Sequence, residues 1–593
     1  MTLSITVKNS FSLLLMMLIS SPLMAVEHPE VVTGRQIYRE GVLPNGKPLI
    51  GKRFGTTSVS GAEAACVNCH RPSGMGSVEG DTLVAPIASN YLFHTGEDRP
   101  IATMDPRVSK RFNQTHEAYT DEALGMAIRG GTNNQSVEMH GLMPRYTLSD
   151  KEMKSLIAYL KQLNMTWSPG VTGDSIRLAT VITPDVDPER RQAFKETLRV
   201  IFKQKNGSTI TNKHGGGKRL HMVTAAEMVL GTERNWTLDV WELKGAPDTW
   251  AAQLDALHQA HPVFALVSGL SNGGWEPVHD FCERQQVPEW FPSVPFPVQK
   301  PGKYSLYFSR GVVLEADVLA RHLSRMDSKP KQVVQVYRDD AAGRAAATEF
   351  KRVMADQHII VDDRILSGHT VESLRVLINS IGSKETAVMF WLRPEDVTTL
   401  QEIAPPAGIN AYFSGMLLSS DPEVFSPSWK SNLHLVYPYE LPDMRELNLQ
   451  YFHTWLNINK MDMVDEAMQS EVFFSLNYLT DILSEMLNNL YRDYLVERGE
   501  NMINKREGAK VQQEVNDLRS MGLKTELIRK HGNMTVEEGS RLPVGQTQLT
   551  KREGTTIYPR LSLGPGQRFA SKGGYIMRYS HDMLEPETSW IVP

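Results

Sequence analysis

A chain of 593 residues is too long for one hydrophobic core, and at the usual 100–200 residues per domain it calls for about three folding units. Its 41% hydrophobic and 22% charged residues, with a formal net charge of −5, describe ordinary globular protein and supply no basic field for nucleic acid. Three cysteines are too few for a disulfide scaffold, so each needs another explanation.

The chain opens "MTLSITVKNSFSLLLMMLISSPLMAVEHPE", with one lysine, an apolar run from Phe11 to Ile19, a Ser-Pro break and a small residue at Ala25. That layout is a secretory signal peptide over residues 1–25, which implies export to the periplasm. The apolar run is half the length of about 18 residues that a membrane anchor needs, so no membrane span is expected after cleavage. No cysteine follows it, which argues against a lipid anchor.

"GRQIYREG" (34–41) reads as a first helix, and "AACVNCHRPSGMG" (64–76) follows. Cys66-Val67-Asn68-Cys69-His70 has the spacing of covalent haem c attachment: two thiols two residues apart add to the two vinyl groups of one porphyrin, and the next residue is an axial histidine. A thioredoxin-like dithiol would follow a strand and open a long helix, whereas these flanks are rich in turn residues. A zinc site would want a second Cys/His pair at ligand spacing, and none lies nearby.

Downstream, "TDEALGMAIRGG" (120–131) predicts a helix that begins at Thr120 and stops at the Gly130-Gly131 pair. In "MHGLMPRY" (139–146), Met143 precedes a proline that cannot continue a helix, so its thioether is the first candidate for the second axial ligand. Met139, His140, Met75 and His116 are the fallbacks. Ser149-Asp150-Lys151-Glu152 is a capping box opening a helix with an apolar stripe at Met153, Leu156, Ile157, Leu160 and Leu163.

On "GRQIYREG", "CVNCHRPSGMG", "APIASNYL" and "YTDEALGMAIRGG...GLMPRYTLSDKEMKSLIAYLKQL", residues 27–165 resemble a class I cytochrome c of the type found with bacterial dehydrogenases. The resemblance implies an all-α domain with one covalent haem c, thioethers at Cys66 and Cys69, His70 as proximal ligand and Met143 as distal ligand. One departure is the stretch "VLPNGKPLIGKRFGTTSVSG", longer than the family's usual connection. With 15 acidic and 15 basic residues over 27–165, this part is near neutral, and strong electrostatic steering to a redox partner is not expected.

Residues 166–175, beginning "TWSPGVTGD", read as a turn-rich linker. Short β-rich runs follow at 177–182, 219–224, 263–268, 333–337, 387–392 and 433–438, with helix-period segments such as 187–204 between several of them. Strands separated by helices imply parallel α/β layers. Over 176–490 the chain is similar to type I periplasmic binding proteins of the branched-chain amino acid receptor kind. The residues that carry this are "HPVFALVSGLSNGGWEPVHDFCERQQVPEWFPSVPFPV" (261–298) and "KQVVQVYRDDAAGRAAATEFKRVMADQHIIVDDRIL" (331–366). A two-lobed α/β domain is implied, with a ligand cleft beyond the carboxyl ends of the strands. Ser268, Gly269, Ser271, Asn272, Gly273 and Trp275 would form one wall, with Arg338, Asp339, Arg393 and Ser414 from other strands. The loop "TPDVDPER" (183–190) lacks the Gly-rich turn of amino-acid receptors, which puts amino-acid specificity in doubt. Cys282 reads as a small buried apolar residue. A long helix is expected over 466–497, and 491–593 reads as a C-terminal extension with a charged insertion at 498–552 and a closing hairpin within 558–579.

These readings predict a multidomain, exported, mono-haem electron carrier rather than an enzyme. Its redox partner would be a protein such as a periplasmic dehydrogenase or another cytochrome, and its second domain would dock that partner or bind a small ligand. The alternative is a ligand receptor with a haem-based redox or gas sensor. A peroxidase would need an open iron site or a second haem, and the chain has one C-x-x-C-H. The turn-rich linker and near-neutral first domain predict a loosely tethered carrier, with no energetic coupling between cleft and haem.

Overall fold

The computed structural model describes residues 27–79, 82–95, 117–213, 233–368, 370–381, 387–418, 425–504, 556–580 and 583–593. The expected signal peptide, His116, the run at 219–224 and most of the charged insertion lie outside them. Among the described residues no helix is long and apolar enough to cross a membrane.

In the N-terminal part the first helix, Pro29–Glu40, packs against Asp150–Gln162. Their approach is so close that a Cβ on Gly34 would collide with the Ser155 carbonyl. The capping box is present: the Ser149 hydroxyl accepts from the Glu152 N–H while the Glu152 carboxylate accepts from the Ser149 N–H. Asp121–Gly130 starts at its Thr120 cap and ends at Gly131, as the sequence predicts. The all-α expectation needs correction. The long connection folds into antiparallel strands Ile50–Arg53 and Thr57–Ser60, and Arg145–Tyr146 joins as a third strand, with Gly51 opposite Tyr146. The extra residues thus pair onto the segment that carries Met143.

Two sheets make up the rest. In the first, Ser305–Leu306, Glu289–Trp290, Ala265–Val267, Ser175–Ile182 and Asn235–Glu242 lie side by side and parallel. The second runs Ile360–Ile365, Gln332–Tyr337, Ala387–Trp391, Asn410–Ser414 and Leu433–Tyr437 in parallel, then adds Tyr575–Ser580 and Met583–Pro586 antiparallel. The closing hairpin is therefore at 575–586 rather than around Gly564-Pro565-Gly566, and it completes the second sheet. The long helix also divides: Glu466–Met486 stops at Leu487, whose φ is 53°, and a second helix spans 492–504. Met75, Ala88 and Tyr91 of the N-terminal part share one buried cluster with both sheets.

Candidate functional site

Cys66 caps a single helical turn, Val67–His70, in which the His70 N–H donates to the Cys66 carbonyl at 2.9 Å. Positions three and four apart share a helix face, so the two free thiols and the imidazole project from one side. His70 Nδ1 lies 3.0 Å from the Ala85 carbonyl oxygen. A carbonyl can only accept, so Nδ1 carries the proton and Nε2 keeps its lone pair for a metal. Burial pushes the His70 imidazole down to about 4 and the Cys66 thiol up to about 11. Gly76 takes φ 70° in a turn whose N–H donates to the His70 carbonyl at 3.0 Å, and its α-carbon sits so close to the Val84 carbonyl that a side chain would collide. This donor set fits haem c: two thiols at the required spacing, and a neutral histidine whose free nitrogen is fixed by a hydrogen bond from the other.

Met143 is half-buried in a turn closed by its N–H to the His140 carbonyl at 3.0 Å. The Arg145 guanidinium donates to the Met143 carbonyl at 2.6 Å and to the Met139 carbonyl at 2.8 Å, so one cation holds the loop's backbone in place. Met139 is half-buried and His140 exposed. Met75 is buried in the core shared with the α/β sheets.

A cavity of about 80 Å³ lies between the two sheets. Arg190 donates to Asp465 at 2.7 Å and to the Asn272 side chain, while Arg393 donates to the Asn272 carbonyl at 2.8 Å and to Asp340 at 3.2 Å. Asn272 belongs to the first sheet's loops and Arg393 to the second's, so the Arg393–Asn272 bond bridges the two. Deeper in, the Glu471 carboxyl accepts from the Tyr558 hydroxyl at 2.7 Å, and burial pushes it up to about 7.

Of the expected cleft residues, Asn272 and Arg393 line this cavity. Ser268 is instead buried against the Ser475 hydroxyl, Gly269 packs on the Trp275 ring, and the Trp275 indole donates to Glu289. Ser271 accepts from the Gly273 N–H at 3.0 Å, and Ser414 donates to the buried Glu315. Arg338 pairs with Asp396, and Asp339 is exposed in an ion pair with Arg344. These small and polar residues stitch the loops together and lie outside the cavity's lining. Arg190, Asp465, Glu471, Tyr439 and Tyr558 line the cavity unannounced. Glu471 and Tyr558 lie far apart in sequence and meet only through folding. Arg190 and Asp465 stand at helix starts aimed into the cleft, a placement that helix-start signals mark. Cys282 is buried, as expected.

Residues 60–164 match the family model of cytochrome c. No curated protein matches the chain. Among solved structures, a branched-chain amino acid ABC transporter from Thermus thermophilus with bound valine is 8% identical with a TM-score of 0.46, covering 71% of this chain and 98% of that one. A fatty acid ABC transporter substrate-binding protein from Thermomonospora curvata is 12% identical with a TM-score of 0.44, covering 72% and 95%. A leucine-binding protein from Thermotoga maritima is 10% identical with a TM-score of 0.43, covering 70% and 99%.

Proposed function

We propose that this chain is a periplasmic mono-haem c-type cytochrome that passes single electrons to or from a partner protein, a dehydrogenase or another cytochrome. Its α/β part would bind a small ligand or dock that partner. The observation that carries this reading is the one-turn grouping of Cys66, Cys69 and His70 with His70 Nδ1 tied to the Ala85 carbonyl. Cys66 and Cys69 would hold the cofactor through thioethers, His70 would ligate its iron through Nε2, and Met143 would supply the second protein ligand. Bound there, haem c supplies reversible one-electron exchange, with a thioether ligand that favours a raised potential. The chain's own contribution is to keep His70 neutral and oriented, and to brace the Met143 loop through Arg145.

Covalent attachment is the test. Denatured wild type should keep its haem on a gel, and a Cys66→Ala/Cys69→Ala variant should lose it; haem extracted from wild type by acidified solvent would overturn the assignment.

A second reading, a ligand receptor whose haem reports redox state, is favoured by one observation. The Glu466–Met486 helix lines the cavity with Met468 and Glu471, and the 492–504 helix that follows seats the N-terminal part.

A further inference from the structure

The residues just after His70 are gripped by a helix more than four hundred residues further along the chain. Arg71 pairs with Glu500 at 2.9 Å. Ser73 makes a two-pronged contact with Glu497: its N–H donates to one carboxylate oxygen at 2.8 Å and its hydroxyl to the other at 2.6 Å. One turn earlier, Asp493 receives Arg39 at 2.8 Å, Lys303 at 3.3 Å and the Tyr304 hydroxyl at 2.8 Å. Asp493, Glu497 and Glu500 stand at i, i+4 and i+7, so one acidic face of the 492–504 helix meets the N-terminal part.

Docking alone does not call for this arrangement. Buried carboxylates are costly to desolvate, and apolar side chains of similar size would hold two surfaces together as well. An apolar contact already exists in the shared cluster of Met75, Ala88 and Tyr91. The acids are instead spent on Arg71 and Ser73, one and three residues beyond His70. From Ser73 the connection to the imidazole is short. The Ser73 hydroxyl accepts from the Met75 N–H at 3.1 Å. The Gly76 N–H donates to the His70 carbonyl at 3.0 Å, and the same glycine lies against the carbonyls of Val84 and Ala85, the latter being the acceptor for His70 Nδ1. Tyr38 donates to the Arg71 carbonyl at 2.7 Å and Asn164 to the Ser73 carbonyl at 2.7 Å, closing the loop from the other side. Glu500 also receives Arg568, so the C-terminal region braces the acid that holds Arg71.

We infer that Glu497 and Glu500 are positioning residues of the haem centre: acids of the α/β part clamp the Arg71–Ser73 loop behind His70 and, through the orientation of that histidine, set the reduction potential. Groups outside the ligand set orient a ligating histidine and tune the metal, which is the physical basis for the effect. The inference rests on the haem c reading above.

The test uses purified full-length holoprotein. Electron partition against a mediator dye gives the midpoint potential, alongside covalent haem content and the melting temperature, for wild type, Glu497→Ala, Glu497→Gln and Ser73→Ala. Asp121→Asn, at the surface ion pair with Lys161, is the control. Glu497→Ala should shift the partition at least threefold, which is about 30 mV for one electron at 59 mV per tenfold. Glu497→Gln, which still offers Ser73 an acceptor, should recover part of the shift. Ser73→Ala keeps the backbone bond, should fold where Glu497→Ala fails to, and should shift the partition with the same sign. Asp121→Asn should not move it. A lowered melting temperature with unchanged potential in Glu497→Ala and Ser73→Ala would overturn the inference and leave the clamp a structural contact. Wild type without covalent haem would overturn the haem reading and the inference with it, a result distinguishable because it appears before any variant is made.

Discussion

Met143 and Glu471 show how far single side chains bear on function. Met143 sits on a loop whose two neighbouring methionines share one Arg145 brace, so position alone separates it from Met139. If Met143 is the second axial ligand, Met143→Ala should abolish the weak sulfur-to-iron charge-transfer absorbance and admit carbon monoxide or cyanide, whereas Met139→Ala should do neither; the opposite pattern would transfer the role to Met139. In the cavity, burial raises the Glu471 carboxyl from 4.5 to about 7, and it raises buried Glu315 to about 8. A carboxyl whose folded value lies above its unfolded one contributes stability that is fully present below the unfolded value and lost as pH rises through the folded value. Wild type should therefore lose melting temperature between pH 4.5 and about 8, and Glu315→Gln should flatten that slope. Equal slopes in the two proteins would show that Glu315 ionises without cost. The haem motif was legible in sequence because five consecutive residues carry it. Glu471 was not, since its chemistry depends on Tyr558, a partner brought in by the fold.

At the scale of elements, capping and periodicity located the helices well. Thr120, the Ser149–Glu152 box and Asp187 before Pro188 each start a helix where the sequence places one. Central strands such as Gln332–Tyr337 and Ala387–Trp391 were legible as apolar runs because both faces are buried. Asn235–Glu242 was not, because it is an edge strand with charged and half-exposed positions along it. The sheet near residues 50–60 was missed for a different reason: its third strand, Arg145–Tyr146, is only two residues long and has no pattern of its own. Two helices meet closely at Gly34, where the first helix touches the Ser155 backbone. No flexible side chain can yield there, so Gly34→Ala should push the helices apart and cost about 1–3 kcal/mol, the usual penalty of overpacking. A shift in urea midpoint measures it, and an unchanged midpoint would mean the helices can slide.

The whole molecule departs furthest from what sequence suggests. Residues 166–175 were expected to tether a free carrier, but Trp167 donates to the Asn488 carbonyl at 2.9 Å, Ser168 bonds the backbone of Leu490 and Arg492, and Asn90 donates to the Tyr491 hydroxyl at 3.2 Å. A local reading of turn residues carries no information about which surface the segment lies on. The two helices following Asp465 then join the molecule's two sites. Glu466–Met486 presents Met468 and Glu471 to the cavity; the Tyr478 hydroxyl donates to the Gly499 carbonyl at 2.7 Å; and 492–504 presents Glu497 and Glu500 to the loop behind His70. Any cavity ligand that displaces Glu471, or Arg190 from Asp465, acts on the first of two helices that pack together and reach the loop behind His70. Coupling of that kind is reciprocal: a ligand that shifts the potential must bind the oxidised and reduced proteins with affinities differing by the same free energy. This packing supports the opposite expectation to the one drawn from the linker: that cavity and haem are coupled. A cavity ligand found by thermal-shift screening should move the midpoint potential by about 30 mV or more, with roughly a threefold affinity difference between the two redox states. Glu471→Gln should diminish both effects together. A ligand that stabilises the protein yet leaves the potential unmoved would restore the uncoupled carrier and confine the helix pair to a structural role.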